Sequence, residues 1–170
     1  MQSRLKDIRL LLLDVDGVLT DGSIIYDDQN IETKVFNVKD GLGIRLLLNA
    51  GIQVGVITGR ASKALKNRCA NLGIENLYDG IHDKVSALDT VLKKTGVKIG
   101  ETAFIGDDLP DLSVLKKVGV SIAVRDAEET VRKHADIVTN AKGGDGAVRE
   151  ICEAILKAKG LWEDIIDSFL

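Results

Sequence analysis

The chain has 170 residues, 45% of them hydrophobic, and a net charge of −3. That length fits one domain over residues 1–170, large enough to bury a core without a disulfide or metal staple. The slightly acidic balance argues against nucleic acid or an anionic membrane as main partner, so a site for an anion must be built locally, from a metal, a lysine or backbone amides.

No stretch approaches the roughly 18 apolar residues of a membrane span. Arg4, Lys6 and Arg9 precede an apolar run in the manner of a signal peptide, but Asp14 and Asp16 interrupt it. Cys69 and Cys152 lack metal-ligand spacing and sit in helical patterns, which predicts buried thiols and no disulfide. A reducing, cytoplasmic setting is expected.

In chain order, Ile8 to Leu13 is a short apolar run that ends in carboxylates. A polar turn at Asp27–Asn30 then separates Ser23–Tyr26 from Ile31–Phe36, which reads as a β-hairpin over about 22–37. Asp40 to Asn49 carries leucines at helical spacing. Gln53 to Ile57 is a second apolar run and ends at Thr58. Helical patterns follow over Ser62–Leu72 and Lys84–Lys94, each stopped by a glycine. Thr102 to Ile105 ends at Gly106-Asp107-Asp108. Val120–Val124 and Ile137–Val138 are further strands, with helices over Asp126–His134 and Ala147–Lys159. Runs buried on both faces, alternating with helices, predict an α/β fold: a three-layer, Rossmann-like parallel sheet with a hairpin insertion after the first strand. The apolar tail over about 160–170 predicts docking, on this chain or on a neighbour.

Open parallel sheets bind ligands beyond the carboxyl ends of their strands. Three strand ends here carry reactive groups: Asp14 and Asp16, Thr58, and Asp107 and Asp108. Carboxylates gathered at one edge repel one another unless a cation lies between them, and magnesium suits such an oxygen-rich set. One Asp-x-Asp after a strand reads as a turn or cap; three strand ends agreeing in order do not. A carboxylate can attack phosphorus to form an aspartyl phosphate, with catalysis resting on positioning and charge neutralisation. Thr58-Gly59 offers a hydroxyl and an exposed amide, and Lys84, a surface lysine if taken alone, offers a cation.

The segments Asp14-Val15-Asp16-Gly17-Val18-Leu19-Thr20, Thr58-Gly59-Arg60, Lys84 and Gly106-Asp107-Asp108-Leu109-Pro110-Asp111 resemble, in order, the four motifs of the haloacid dehalogenase superfamily. The resemblance spans nearly the whole chain. It implies that Asp14 is the nucleophile and that Asp16 protonates the leaving oxygen and then deprotonates water. It implies that Mg2+ is held by Asp14, the Asp16 carbonyl and Asp107, with Asp108 and Asp111 orienting metal waters or Lys84. Thr58, Gly59, Arg60 and Lys84 would bind substrate. In this superfamily an acid two residues after the nucleophile marks phosphatases rather than dehalogenases or ATPases, because hydrolysis of the aspartyl phosphate needs a base there. No segment is large enough for the superfamily's usual cap domain, so a neighbouring subunit is the expected lid.

Lys34-Val35-Phe36-Asn37-Val38-Lys39-Asp40-Gly41, Ala123-Val124-Arg125-Asp126-Ala127 and Gly143-Gly144-Asp145-Gly146-Ala147-Val148-Arg149-Glu150 resemble segments of the 3-deoxy-D-manno-octulosonate (KDO) 8-phosphate phosphatases. The resemblance implies a sugar-acid phosphate as substrate, a role in lipopolysaccharide synthesis, and a homotetramer joined through its hairpins. Arg60 suits a carboxylate-bearing sugar, since its planar fork pairs with carboxylate; a helix-start surface arginine is the plainer reading. The Gly143–Gly146 stretch reads either as a flexible loop before the last helix or as a mobile, substrate-facing one. Asp40 reads as a helix cap or a substrate-side residue. His82 and His134 read as surface residues.

Three alternatives stand beside this. A phosphatase for nine-carbon sugar acids shares the chemistry. A non-catalytic assembly module, like the phosphatase-like domain fused to sialic acid cytidylyltransferases, would be free to lose Asp16 or Lys84, which are present. A signalling receiver domain has similar groups, but with its acidic pair on the first strand rather than on a later one.

Overall fold

The computed structural model describes residues 2–170. Strand β1 (Leu10–Leu13) is four leucines with no exposed surface, as befits a strand covered on both faces. It lies at the centre of a six-stranded parallel sheet with β4 (Gln53–Ile57), β5 (Asn76–Tyr78), β6 (Thr102–Gly106), β7 (Val120–Ala123) and β8 (Ile137–Val138), in the order β5-β4-β1-β6-β7-β8. The chain builds outward from β1 on one side and then crosses to the other. This puts the reversal of strand order, where such sheets open a crevice, between β1 and β6.

The register aligns the strand ends. Leu13 pairs with Val56 of β4 and with Ile105 of β6. Asp14, Thr58 and Asp107 therefore emerge side by side at one edge.

Helices flank the sheet. One packed group is α1 (Gln2–Leu5), α2 (Val38–Asn49), α3 (Lys63–Leu72), α7 (Ala147–Ala158) and α8 (Trp162–Asp167). The other is α4 (Lys84–Thr95), α5 (Leu112–Leu115) and α6 (Glu129–His134). The core between them is aliphatic, with Phe104 its largest fully buried side chain. Both cysteines are buried and free. No helix among the described residues is long and apolar enough to cross a membrane.

The hairpin lies outside this sheet, as β2 (Ile25–Tyr26) and β3 (Glu32–Thr33), antiparallel and two residues each. The expected strands over Ser23–Tyr26 and Ile31–Phe36 thus pair only beside the turn. Ile24, Ile25, Tyr26, Ile31 and Val35 are all exposed. Among the described residues, this hairpin and α2 are all that separate β1 from β4, and no cap domain is present.

Three differences from the expected elements stand out, at β5, α2 and α6. β5 is absent from the expected strands because its three residues, Asn76-Leu77-Tyr78, hold no apolar run. Helix α2 begins at Val38, capped by the Asn37 side chain, which accepts from the Lys39 amide. Helix α6 begins at Glu129, three residues after Asp126, with Glu128 as its cap. The tail folds back as α8, its Trp162 lying over Arg149 and Lys157 of α7.

Candidate active site

All the expected site residues reach one place. A hollow of about 260 Å³ at the carboxyl edge of β1, β4 and β6 is lined by Asp14, Asp16, Thr58, Gly59, Arg60, Lys84, Asp107, Asp108, Pro110 and Asp111. Larger hollows exist, such as one of about 420 Å³ beside Leu46, Leu161 and Phe169, but they hold no comparable set of reactive groups.

Asp14 is buried at the end of β1, its amide donating to the Ile105 carbonyl at 3.0 Å. Lys84, the first residue of α4, brings a buried ammonium across from the neighbouring layer. Its Nζ lies 3.0 Å from Asp14 Oδ1 and donates to Asp111 Oδ1 at 2.7 Å. Asp111, only 1% exposed, also accepts from the amides of Asp107 and Asp108. Lys84 is therefore a lysine held in the interior by two carboxylates, not a solvated surface group.

One oxygen each of Asp14, Asp107 and Asp111 gathers within 4.8 Å. Burial, with the nearby Asp111 charge, raises the Asp14 carboxyl to about 6 despite the opposing pull of Lys84. Burial, followed by the charges of Asp14, Asp111 and Asp108, raises Asp107 to about 8. Burial alone would lower the Lys84 ammonium, but the same carboxylates raise it above the ordinary lysine range. Such a cluster is short of positive charge.

The donor set fits a hard divalent cation. Asp107 Oδ1 is buried with no hydrogen-bond donor, and among the described residues no hydrogen bond ends on the Asp16 carbonyl. Asp111 is already committed to Lys84 and two amides, which leaves Asp14, the Asp16 carbonyl and Asp107 as the oxygens with unused capacity. The loop holding the second is packed tightly. A Cβ at Gly17 would lie 2.1 Å from Asp107 Oδ2, and Gly17 has φ +87°, so only glycine fits there.

Asp108 is exposed and caps the turn at Leu109 rather than touching Lys84. Pro110 sits in that short 3-10 turn. Thr58 is buried, its amide bonded to the Tyr78 carbonyl, and Gly59 is exposed at the mouth.

The hairpin supplies a second layer that sequence reasoning left unassigned. The Arg60 guanidinium donates to Glu32 Oε2 at 3.0 Å and to the Tyr26 hydroxyl at 2.9 Å. Arg60 Nε is 3.6 Å from Asp16 Oδ2. Lys34 donates to Asp16 Oδ1 and lies 2.8 Å from Glu32 Oε1. Burial opposes the charge on Lys34, but these two carboxylates raise it above the usual range, and Lys34 in turn lowers Glu32. The signal was present: Glu32 and Lys34 are two apart in an extended segment, hence on one face.

The Gly143–Gly146 stretch lies behind the loop after β1, anchored there. The Gly144 amide donates to the Val18 carbonyl, and a Cβ at Gly143 would lie 1.7 Å from the Gly17 carbonyl oxygen. Asp40 caps α7 from outside, accepting from the Arg149 amide at 2.7 Å. His82 and His134 are exposed and away from the hollow.

A family model for haloacid dehalogenase-like hydrolases matches residues 76–151. The chain is 47% identical over 160 residues to 3-deoxy-D-manno-octulosonate 8-phosphate phosphatase KdsC of Salmonella typhi, covering 94% of this chain and 85% of the relative. The chain belongs to the 3-deoxy-D-manno-octulosonate 8-phosphate phosphatase family. Two solved structures of the same type superpose closely. The phosphatase from Moraxella catarrhalis, in complex with magnesium, phosphate and KDO, has a TM-score of 0.97 at 43% identity, covering 99% of this chain and 97% of that one. The cobalt-bound phosphatase from Haemophilus influenzae has a TM-score of 0.94 at 42% identity, covering 98% of both chains. As a member of this family the chain is a phosphatase, and the carboxylate-lined hollow is where its sheet opens.

Proposed function

We propose that the chain hydrolyses 3-deoxy-D-manno-octulosonate 8-phosphate to KDO and phosphate, with Mg2+, through an aspartyl phosphate on Asp14. The observation that carries this is the junction at the end of β1. There a buried carboxylate stands beside a buried lysine and an unpaired Asp107 oxygen, with a second carboxylate, Asp16, two residues on. That arrangement can take up a phosphoryl group and also release it.

Asp14, the Asp16 carbonyl and Asp107 would hold the metal. Magnesium, when bound, offsets the charge of these carboxylates and of the phosphoryl oxygens. Lys84, the Thr58 hydroxyl and the Gly59 amide bind the phosphoryl oxygens. Asp14 attacks phosphorus as a carboxylate while the bond from phosphorus to the sugar oxygen breaks and Asp16 gives that oxygen a proton. Asp16 then takes a proton from water, which attacks phosphorus and frees Asp14. Lys84 bridges Asp14 and Asp111, so the nucleophile and its cation stay in register through both steps. Asp108 shapes the turn that carries Asp111.

Arg60 stands at the mouth, beyond Asp16, where the sugar acid's carboxylate can pair with its fork. Glu32 and Tyr26 hold that fork in the free enzyme. The exposed apolar hairpin is the surface through which copies would form a homotetramer, a neighbour covering the open site. Cytoplasmic lipopolysaccharide-precursor synthesis is the fitting setting.

The test is phosphate release from a panel of eight- and nine-carbon sugar-acid phosphates, with and without magnesium. Preference for the eight-carbon ester supports the assignment. Preference for a nine-carbon ester moves the substrate and leaves the chemistry. No magnesium-dependent release from any ester removes both.

A further inference from the structure

Among the described residues, Lys34 is the one cation at the site that no step above uses. It lies just past β3, in a hairpin whose other residues are largely exposed, yet its side chain is only 2% exposed. Its ammonium donates to Asp16 Oδ1 and sits 2.8 Å from Glu32 Oε1. Burying an ammonium is costly unless it is fully paired, so a hairpin that needed only a fastener would be served as well by an apolar side chain. The pairing is instead aimed at one oxygen of Asp16. The other, Oδ2, has Arg60 Nε at 3.6 Å, outside hydrogen-bond reach.

We propose that Lys34 is a positioning residue, locking Asp16 through Oδ1 so that Oδ2 is presented for the exchange with the leaving oxygen and with water. Glu32 completes the device. It holds Lys34 with one oxygen and Arg60 with the other, so the group that meets the sugar acid and the group that orients the acid/base share a support. A substrate carboxylate that draws Arg60 away from Glu32 strengthens the Glu32–Lys34 pair. The inference rests on the reading of Asp16 as acid/base, and its test separates the two.

The experiment compares wild type, Lys34→Met, Lys34→Arg and Asp16→Asn on 3-deoxy-D-manno-octulosonate 8-phosphate and on p-nitrophenyl phosphate, whose leaving group departs without a proton. Loss of an oriented acid/base predicts that Lys34→Met lowers kcat on the sugar-acid ester by about tenfold to a hundredfold, with KM changing far less. The fall in kcat/KM on p-nitrophenyl phosphate is smaller, and Lys34→Arg recovers part of the loss. A poorly folded fraction would lower both esters alike, so the ratio between them is insensitive to it. A rise in KM with kcat retained, or equal losses on the two esters, overturns the proposal and leaves Lys34 a hairpin fastener. Equal losses on the two esters in Asp16→Asn itself overturn the acid/base reading of Asp16 instead.

Discussion

The strand-end cluster and the hairpin face each other across one hollow, yet they are built in opposite ways. Asp14, Lys84 and Asp111 are nearly sealed, set by the register of three buried strands and by Lys84 on α4. Glu32 and Lys34, from a hairpin with two-residue strands and exposed apolar side chains, meet Arg60, from the loop after β4, at the mouth. Phosphoryl transfer tolerates little misplacement, so its groups sit on the most rigid part of the sheet. The hairpin is held outside the sheet, so it can change without disturbing the core.

The comparison is broken most severely at the strand end. Asp14→Asn keeps the size of the side chain but removes the nucleophile, and kcat should fall by about 10⁴-fold or more. Steady-state phosphate release checks it. Lys84→Met leaves Asp111 buried without its cation. Breaking a buried pair costs about 3–5 kcal/mol, and thermal melting should show a loss of roughly 10 °C or more, alongside lost activity. The same strain on a pair at the mouth should cost far less.

The metal-free cluster also has a pH signature. Asp14 is raised to about 6 and Asp107 to about 8, both from an ordinary 3.8. The folded chain thus holds protons that the unfolded chain has already released between roughly pH 4 and 8. Stability of the metal-free protein is fullest at the acidic end of that window and falls as pH rises through it. Magnesium binds the ionised carboxylates, so its stabilisation grows over the same range. At a hundredfold excess over Kd it is worth about 2.7 kcal/mol. Melting curves with magnesium and with chelator, from pH 5 to 9, read both trends. A magnesium effect larger at pH 5 than at pH 8.5 would contradict them.

The smallest break is at the mouth. Arg60→Ala should raise KM for a sugar-acid phosphate by about tenfold to a hundredfold, the worth of a charge-assisted hydrogen bond, while kcat falls less. Initial rates over a substrate series measure the split.

Most of the buried half could be read in advance, because its signals are local. Four leucines followed by Asp-Val-Asp, and Val54-Gly55-Val56-Ile57 followed by Thr-Gly, announce both the strand and what its end carries. Lys84 was legible as a candidate cation at a helix start, but not its burial, which depends on Asp14 and Asp111, brought to it from the ends of two strands. The hairpin half and the connections around it were harder. Asn37 rather than Asp40 caps α2, because Asp40 is drawn across to the start of α7. The pairing of Lys34 with Asp16 needs the hairpin to fold back over the first strand, and no local periodicity encodes that return. The Gly143–Gly144 pair likewise looked mobile from composition, whereas its missing side chains serve close approach to the Gly17 carbonyl.

The central claim is that the carboxylate closing β1 is the atom group phosphorylated during turnover. An Asp16→Asn chain, slowed in releasing phosphate, can be mixed rapidly with magnesium and p-nitrophenyl phosphate, whose leaving group needs no proton, then quenched in acid and reduced with borohydride, which converts an aspartyl phosphate to homoserine. Peptide mass spectrometry should find homoserine at position 14 and at no other aspartate. Label at Asp107 or Asp111, or turnover with unmodified Asp14 throughout, would contradict the account.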